Sequence, residues 1–218
     1  MQYQAVVFDM DGVIFDTERL VIEFWKEVAK KHNIPNIEHT CIQCLGTNRV
    51  RTREIFLENY GADFPFDLYR AEVTELFNTH YKGVPLPTKP GVRELLSYLQ
   101  EQDIKVGLAS STAQHLVRDE IGTAGLLPYF QTLVCGDMVE HSKPAPDIFL
   151  KACEILNADP TKSIAIEDSF NGIRSAHCAG MTPIMVPDQV QPTDEIRTLA
   201  FHVMPSLLDV LNWLKTLA

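Results

Sequence analysis

The chain contains no apolar run that approaches the about 18 residues needed to cross a membrane, so no transmembrane helix is expected. Its first residues, MQYQAVVF, have neither the basic start nor the long apolar stretch of a secretory signal, and we expect a cytoplasmic protein. Cysteine is sparse, with five scattered residues. Because a chain of 218 residues can bury a core without disulfides, we expect free thiols in a reducing compartment.

Positive charge is also scarce, since 19 Lys and Arg residues face 29 Asp and Glu residues and give a net charge of −10. Such a surface repels nucleic-acid phosphates and anionic lipids, so we expect neither nucleic acid nor a membrane as a partner. A phosphorylated small molecule could bind only where a lysine, an arginine or a metal ion supplies local positive charge. Nothing in the sequence demands a dimer, and a monomer is expected.

Short β-branched runs alternate with amphipathic segments along most of the chain. In GVRELLSYLQ, for example, Val92, Leu95 and Leu99 recur at helical spacing. The alternation predicts an α/β fold with a doubly wound parallel sheet and a Rossmann-like core. The predicted strands, each nearly all apolar before a polar end, are AVVF (5–8), KVGLAS (105–110), TLVC (132–135), SIAIED (163–168) and TPIMV (182–186).

One long region has no good strand candidate. Leu20, Phe24 and Val28 form a helical stripe, and further helices are predicted at 36–45, 48–59 and 66–81. We therefore predict an inserted all-helical cap domain at residues 17–83, with the α/β core formed by residues 1–16 and 84–218. The segment GVPLPTKPG (83–91) is interpreted as the return linker.

Polar side chains follow four of the predicted strands. In an open parallel sheet, ligands bind beyond the carboxyl ends of the strands, so these side chains are expected to converge. The candidates are Asp9, Asp11, Ser110, Ser111, Thr112, Lys143, Glu167 and Asp168.

Clustered carboxylates repel one another, and a divalent cation removes that conflict. Ligands that are all oxygen suit Mg²⁺, which favours octahedral coordination. With Lys143 adding a further positive charge, a phosphate could enter the same place despite the acidic surface. A carboxylate that faces such a phosphoryl group can attack it and form an aspartyl-phosphate.

Four blocks of the chain together resemble the motifs of haloacid dehalogenase-like hydrolases. They are FDMDGVIFDTE, LASS, HSKPAPDIF and IEDSFNGIRSAHCAGM. The resemblance is greatest to the phosphatase and β-phosphoglucomutase-like branch with a small helical cap. It spans the whole predicted core, whereas the cap matches only in position and helical character.

The resemblance implies a chemical role for three residues. Asp9 corresponds to the nucleophile and is a magnesium ligand. Asp11 corresponds to the residue that gives its backbone carbonyl to the metal, protonates the leaving oxygen and later takes a proton from water. Lys143 corresponds to the residue that neutralises the nucleophile and the phosphate.

The resemblance also implies binding roles. Ser110 corresponds to the residue that binds the phosphoryl oxygens, with help from the backbone at Ser111. Asp168 corresponds to a metal ligand, which Glu167 supports directly or through water.

The expected function is a magnesium-dependent phosphatase that acts on a small phosphorylated metabolite, a sugar or polyol phosphate. A sugar-phosphate mutase is the first alternative. β-Phosphoglucomutases carry a histidine five residues after the acid that matches Asp16, whereas this chain has Val21 there. A non-catalytic protein that binds a phosphorylated metabolite is the second alternative, although every chemical position of the motifs is filled.

Two features of the cap are open to more than one interpretation. Arg49, in LGTNRVRTREI, lies where related sugar-phosphate enzymes place an arginine against the substrate, and we include it as a candidate substrate-binding residue. With Arg51 and Arg53 it could equally form a solvated basic face. The segment CIQC (41–44) has the spacing of a zinc or redox site, but it lies on a predicted cap helix and is interpreted as packing.

Overall fold

The fold was described from a computed structural model, which covers residues 3–47 and 49–217. The strands are β1 (Ala5–Phe8), β2 (Lys105–Ser110), β3 (Thr132–Cys135), β4 (Ser163–Glu167), β5 (Thr182–Met185) and β6 (His202–Val203). The helices are α1 (Thr17–His32), α2 (Ile37–Cys44), α3 (Arg49–Tyr60), α4 (Phe66–Tyr81), α5 (Val92–Glu101), α6 (Gln114–Thr123), α7 (Asp147–Leu156), α8 (Phe170–Cys178), α9 (Asp194–Leu199) and α10 (Leu207–Lys215). Short 3-10 turns occupy Leu127–Tyr129, Gly136–Met138 and Pro160–Lys162.

The six strands form one parallel sheet in the order β3-β2-β1-β4-β5-β6. The chain first builds outward from β1 through β2 to β3, and then returns to the other side of β1 with β4. The order therefore reverses at β1, and the carboxyl ends of β1, β2 and β4 border the crevice in which such sheets bind ligands. The predicted fold class, a doubly wound α/β sheet, is confirmed.

β1 is buried on both faces because its side chains alternate between two hydrophobic clusters. Val6 and Phe8 belong to the hydrophobic cluster that includes Leu95 and Leu99 of α5 on one face. Ala5 and Val7 belong to the cluster around α7 on the other face. Every residue of β1 is fully buried, and the strand lies in the interior of the sheet. The residue that follows Phe8 therefore lies near the middle of the edge formed by the carboxyl ends of the strands.

The four helices α1–α4 lie between β1 and β2 and have a hydrophobic cluster of their own. Trp25 of α1 contacts Phe56 of α3 and Phe66 of α4, with ring centroids 4.5 Å and 6.1 Å away. Among the described residues of 17–83 there is no strand, as predicted for the inserted helical cap. The exact domain boundaries stay a prediction.

The two chain segments that join the cap to the core run side by side. Phe15 pairs with Thr88 in an antiparallel bridge, and the amide of Asp16 donates to the carbonyl of Pro87 at 2.9 Å. These contacts hold the start of α1 close to the carboxyl end of β1.

The last part of the sheet was not predicted. β6 has only two residues, both partly exposed, so it has no apolar run from which a strand could be predicted. In the described residues, no helix combines the length and the apolar character that a membrane span requires.

Candidate active site

The predicted core residues meet at the carboxyl ends of the central strands. Phe8 of β1 pairs with Leu108 of β2 and with Ile166 of β4, so the next residue, Asp9, lies between the ends of both neighbours. The Asp9 amide donates to the carbonyl of Ile166 at 2.9 Å, which extends the strand pairing by one residue. The Asp9 side chain is thereby fixed at the crevice, and the residue is only 7% exposed.

Lys143 connects three strand ends. Its Nζ donates to Asp9 Oδ1 at 2.5 Å, to Glu167 Oε1 at 2.6 Å and to the carbonyl oxygen of Ala109 at 2.9 Å. The ammonium also lies 5.1 Å from the centroid of the Phe149 ring. Three acceptors for three N–H groups satisfy the buried charge, so Lys143 is not a solvated surface lysine.

Glu167 has both carboxylate oxygens engaged. Oε1 accepts from Lys143, while Oε2 accepts from the amides of Asp168 and Ser169 at 3.1 Å and from Ser169 Oγ at 2.9 Å. A Cβ on Gly172 in α8 would come within 2.1 Å of all three atoms of this carboxylate group, so glycine is required there. Glu167 is thus held firmly in place, which favours a supporting role over direct ligation of a metal.

Asp11 is held from two sides by hydroxyl groups. Thr17 Oγ1, at the start of α1, donates to Asp11 Oδ1 at 2.6 Å. Thr112 Oγ1, in the loop after β2, donates to Asp11 Oδ2 at 3.0 Å. Asp11 itself is only half-buried. The carboxylate is therefore oriented by fixed donors and is less enclosed than Asp9.

Ser110 and Ser111 lie at the end of β2. Ser110 is fully buried, and its Oγ accepts a hydrogen bond from the amide of Thr112 at 3.1 Å. Because the Oγ acts as an acceptor in this bond, its own proton is free to be donated elsewhere. The backbone of Ser111 passes so close to Gly136 that a Cβ there would meet the Ser111 carbonyl, which fixes this loop against the one that follows β3.

The buried ionisable side chains at the site shift one another's pKa values. Burial, followed by the neighbouring acids Glu167, Asp168 and Asp11, raises the pKa of Asp9 well above its usual value, against the opposing effect of Lys143. Burial and the charges of Glu18 and Glu167 raise the pKa of Asp168 in the same direction. Burial alone would lower the pKa of Lys143, but the charges and hydrogen bonds of Asp9 and Glu167 raise it above the ordinary value.

The chemistry of the donor set fits a divalent cation. One carboxylate oxygen from each of Asp9, Glu167 and Asp168 lies within 4.8 Å of the others. The residues are almost completely buried, and Lys143 is the cation bonded to them in the described contacts. Buried carboxylates in excess of their cations are unfavourable, and oxygen donors of this kind are those that hard cations such as Mg²⁺ bind.

Sequence reasoning missed several polar residues at this edge. Thr17 was not among the predicted site residues, but its hydroxyl contacts Asp11. Glu18 lies beside Asp168, and its Oε2 is buried without a partner in the described residues. Asp188 follows β5 closely, so the strand-end rule, if it had been applied to that strand, would have found it.

A further acid, the partly buried Glu120 in α6, was also missed. Its Oε2 has no hydrogen-bond partner in the described part of the chain. Burial, with smaller effects of Asp11 and Asp119, raises the pKa of Glu120 from 4.5 to about 8.

Arg49 lies in the cap and not among the core residues. Its Nη2 donates to Asp67 Oδ1 at 3.1 Å, and the residue lines an open groove of about 570 Å³ together with Arg70 and Thr74. No described contact links Arg49 to Asp9 or Lys143. Its predicted contact with substrate therefore stays a prediction.

The two cysteines of CIQC belong to the cap interior. Cys41 is 5% exposed and Cys44 is half-buried. Burial raises the pKa of Cys44 to about 12, opposed by the charge of Arg51. Such a thiol remains protonated at neutral pH, which agrees with the packing interpretation.

Most of the chain is similar to a known protein family. A model of the haloacid dehalogenase-like hydrolase family matches residues 6–186. The chain belongs to the haloacid dehalogenase-like hydrolases. The resemblance inferred from the four motifs is thus confirmed.

Among the relatives, the phosphorylated carbohydrates phosphatase of Thermotoga maritima is 34% identical to this chain, over 83% of each protein. The β-phosphoglucomutase of Bacillus subtilis is also 34% identical, over 87% of this chain and 85% of the relative. The fructose-1-phosphate phosphatase YqaB of Escherichia coli is 31% identical, over 85% of this chain and 97% of the relative. The prediction of an enzyme of the phosphatase class is confirmed by this membership.

Solved structures show the same fold. The crystal structure of β-phosphoglucomutase from Clostridium difficile superposes with a TM-score of 0.80 and covers 98% of this chain and 96% of that one, at 24% identity. At this identity the likeness establishes the fold alone and leaves the substrate open.

Proposed function

We propose that the chain is a magnesium-dependent phosphatase that hydrolyses a small sugar or polyol phosphate through an aspartyl-phosphate on Asp9. The position of Asp9 carries this proposal. Its carboxylate is buried at the end of the central strand, with one oxygen bonded to the Nζ of Lys143. A carboxylate nucleophile beside a fixed cation is what phosphoryl transfer through a covalent intermediate requires.

The substrate class is supported by the relatives. The Thermotoga maritima and Escherichia coli proteins are named for phosphatase activity on phosphorylated carbohydrates and on fructose 1-phosphate. A small phosphorylated metabolite is therefore the proposed partner of this chain. The predicted monomeric state stays a prediction.

Magnesium is the proposed cofactor. Asp9, Asp168 and the backbone carbonyl of Asp11 would hold the ion, and Glu167 would support it through water because its own oxygens are already engaged. When bound, the ion would neutralise charge on the phosphoryl oxygens and on the buried carboxylates.

In the first step, a carboxylate oxygen of Asp9 forms a bond to phosphorus as the bond from phosphorus to the leaving oxygen breaks. Asp11 donates its proton to that oxygen, in the orientation that Thr17 and Thr112 impose. The Ser110 hydroxyl donates a hydrogen bond to a phosphoryl oxygen and keeps its proton, and Lys143 balances the charge that develops there.

In the second step, water attacks phosphorus and breaks its bond to Asp9. Asp11, now a carboxylate, accepts the proton of that water, so the same two hydrogen bonds serve both steps. The step restores Asp9 and releases inorganic phosphate. Lys143 keeps its contacts with Glu167 and Ala109 throughout, so the cation does not have to be repositioned between steps.

The cap would exclude bulk water and select the substrate. The two connecting segments, which pair at Phe15 and Thr88, are the proposed hinge. If crosslinking the cap onto the core left turnover of every substrate unchanged, this part of the proposal would be wrong.

A sugar-phosphate mutase is a second candidate, because the Bacillus subtilis β-phosphoglucomutase has the same 34% identity to this chain as the Thermotoga maritima phosphatase has. Val21, in α1, argues against mutase activity, since an aliphatic side chain cannot relay a proton from a sugar hydroxyl. Following β-glucose 1-phosphate separates the two: a mutase produces glucose 6-phosphate, and a phosphatase produces inorganic phosphate.

The proposal is tested with a panel of sugar and polyol phosphates, with and without Mg²⁺. Wild type should release phosphate only with the metal, and Asp9→Asn should lose about 1,000-fold or more of kcat. Denaturation of the rapidly quenched enzyme followed by mass spectrometry should find the phosphoryl group on Asp9. Equal rates for wild type and Asp9→Asn would remove Asp9 as the nucleophile.

A further inference from the structure

An aromatic ring lies against the ammonium of Lys143. The Nζ of Lys143 lies over the ring of Phe149, 5.1 Å from its centroid. A cation within about 6 Å of the face of an aromatic ring is attracted by the negative charge of that face, and the attraction is stronger where water is excluded. Phe149 is 0% exposed and Lys143 is 4% exposed, so the stronger attraction applies to this pair.

The local structure fixes the ring in this position. Phe149 lies in the first turn of α7, six residues after Lys143. Between them, the carbonyl of Ala145 accepts a hydrogen bond from Ser175 Oγ at 2.6 Å, which holds the loop against α8. The ring itself belongs to the hydrophobic cluster that includes Val7 of β1. The packing of α7 on the sheet therefore determines where the ring meets the lysine.

The contact of this ring is with charge and not with a hydrogen-bond donor. In the described part of the chain, no other aromatic ring pairs with Phe149. The three N–H groups of Lys143 already have acceptors at Asp9, Ala109 and Glu167. The ring therefore interacts with the positive charge that is spread over the ammonium and the adjoining CH₂ group.

The ring is the neighbour of Lys143 whose charge does not change during the proposed reaction. In the free enzyme, the ammonium faces the carboxylates of Asp9 and Glu167. When Asp9 becomes an aspartyl-phosphate, its negative charge passes to the phosphoryl oxygens, so one of the two anionic partners changes. The face of Phe149 keeps the same partial charge because the ring takes no part in the reaction. A fixed partner of this kind holds the ammonium in place while the charge around it moves.

We propose that Phe149 is a positioning residue, which holds the ammonium of Lys143 in place for the phosphoryl group through a cation–π contact. Its effect on catalysis rests on the proposed function, whereas the contact itself does not. Because Phe149 acts through Lys143 on charge that develops during the reaction, weakening the contact should lower kcat and leave KM nearly unchanged.

Fluorination of the ring tests the contact at nearly constant shape, because each fluorine withdraws electron density and weakens the negative face. In the full chain, Phe149 is replaced by its mono-, di- and trifluorinated analogues. The kcat for the best substrate of the sugar-phosphate panel should fall stepwise, about 5- to 30-fold in total. The urea midpoint of the metal-free chain should also fall stepwise, although fluorine makes the ring more hydrophobic.

Phe56 is the matched control for this series. It is 1% exposed, and in the described part of the chain no cation lies over its ring. The same three analogues at Phe56 should leave kcat unchanged. A second variant, Phe149→Leu, keeps an apolar side chain without a ring and should lose at least as much kcat as the trifluorinated chain. If Phe149→Leu fails to fold, the fluorinated series still decides.

The outcomes separate this contact from the proposed function. Constant kcat and constant urea midpoints across the Phe149 series would overturn the proposal. A stepwise fall in the urea midpoint with constant kcat would show that the ring only stabilises the fold, and would overturn the positioning role. A wild-type chain without activity on the whole panel would contradict the proposed function. The urea midpoints would then support the contact if they fall stepwise and overturn it if they do not.

Discussion

Thr17 Oγ1 donates a hydrogen bond to Asp11 Oδ1 at 2.6 Å. Thr17 is the first residue of the first cap helix, whereas Asp11 belongs to the turn that follows β1 in the core. Through this contact, the residue proposed as the proton donor takes part of its orientation from the cap. The core and the cap are therefore coupled at the proposed reacting centre.

Replacing Thr17 by valine keeps the buried shape and removes the donor. A hydrogen bond to a charged group contributes about 1.5–3 kcal/mol, so kcat should fall about 10- to 100-fold with little change in KM. Thr17→Ser should retain most of the activity. Thr40→Val, which changes a buried threonine bonded to Tyr60, is the control and should remain active. An unchanged kcat in Thr17→Val would rule out this orienting role.

Replacing Lys143 by methionine leaves Asp9 and Glu167 buried without their shared cation. Breaking a buried ion pair in this way costs about 3–5 kcal/mol, so metal-free Lys143→Met should unfold at a much lower urea concentration and have no measurable turnover. Lys105→Met is the control, because the Nζ of Lys105 has one hydrogen bond in the described part of the chain, to the exposed backbone carbonyl of Asn157. Equal urea midpoints for Lys143→Met and wild type would show that the three contacts of Lys143 contribute little.

Gly12 adopts a φ of +79°, and a Cβ there would lie 2.3 Å from Asp168 Oδ2. Gly12→Ala should lose about 1–2 kcal/mol through backbone strain and should also displace Asp168, with a marked loss of Mn²⁺ affinity. Gly61→Ala is the matched control, because Gly61 has a φ of +95° and a Cβ added there would have no atom of the described residues within 4 Å. It should lose similar stability and keep wild-type Mn²⁺ affinity. Equal affinities in the two variants would contradict the steric argument.

Glu120 should make stability depend on pH. Burial raises its pKa in the folded state to about 8 from 4.5, so the folded chain holds a proton that the unfolded chain has released. The free energy of unfolding should therefore decrease between pH 4.5 and pH 8 and become level above that range. Glu120→Gln should remove this contribution, matching wild type near pH 4 and exceeding it near pH 8. Exposed Glu101 provides the control, Glu101→Gln. A constant difference between wild type and Glu120→Gln across this range would contradict the assignment.

The sequence predicted the centre of the sheet well because that part obeys local rules. β1 is an apolar run followed at once by acids, and the polar side chains that follow four apolar strands identified the core candidates at this edge of the sheet. The predicted cap helices also formed, since stripes such as Leu20, Phe24 and Val28 have a clear period. In these places the pattern within a few residues decides the structure.

What could not be predicted depends on contacts across the fold. Glu18 lies beside Asp168 although 150 positions separate them, and a contact between residues so far apart cannot be predicted from local spacing. Thr17 contacts Asp11 because the turn after β1 folds back, which the residue types alone do not reveal. β6 is too short to show a period.

The three acceptors of Lys143 come from β1, β2 and β4, while Lys143 itself follows β3. During synthesis, the first three strands leave the ribosome before the partner at Glu167 exists. The ammonium can complete its set of bonds only when β4 has inserted beside β1. Catalytic competence should therefore arise late in folding, and a nascent chain that stops short of residue 167 should be inactive however well its earlier helices have formed.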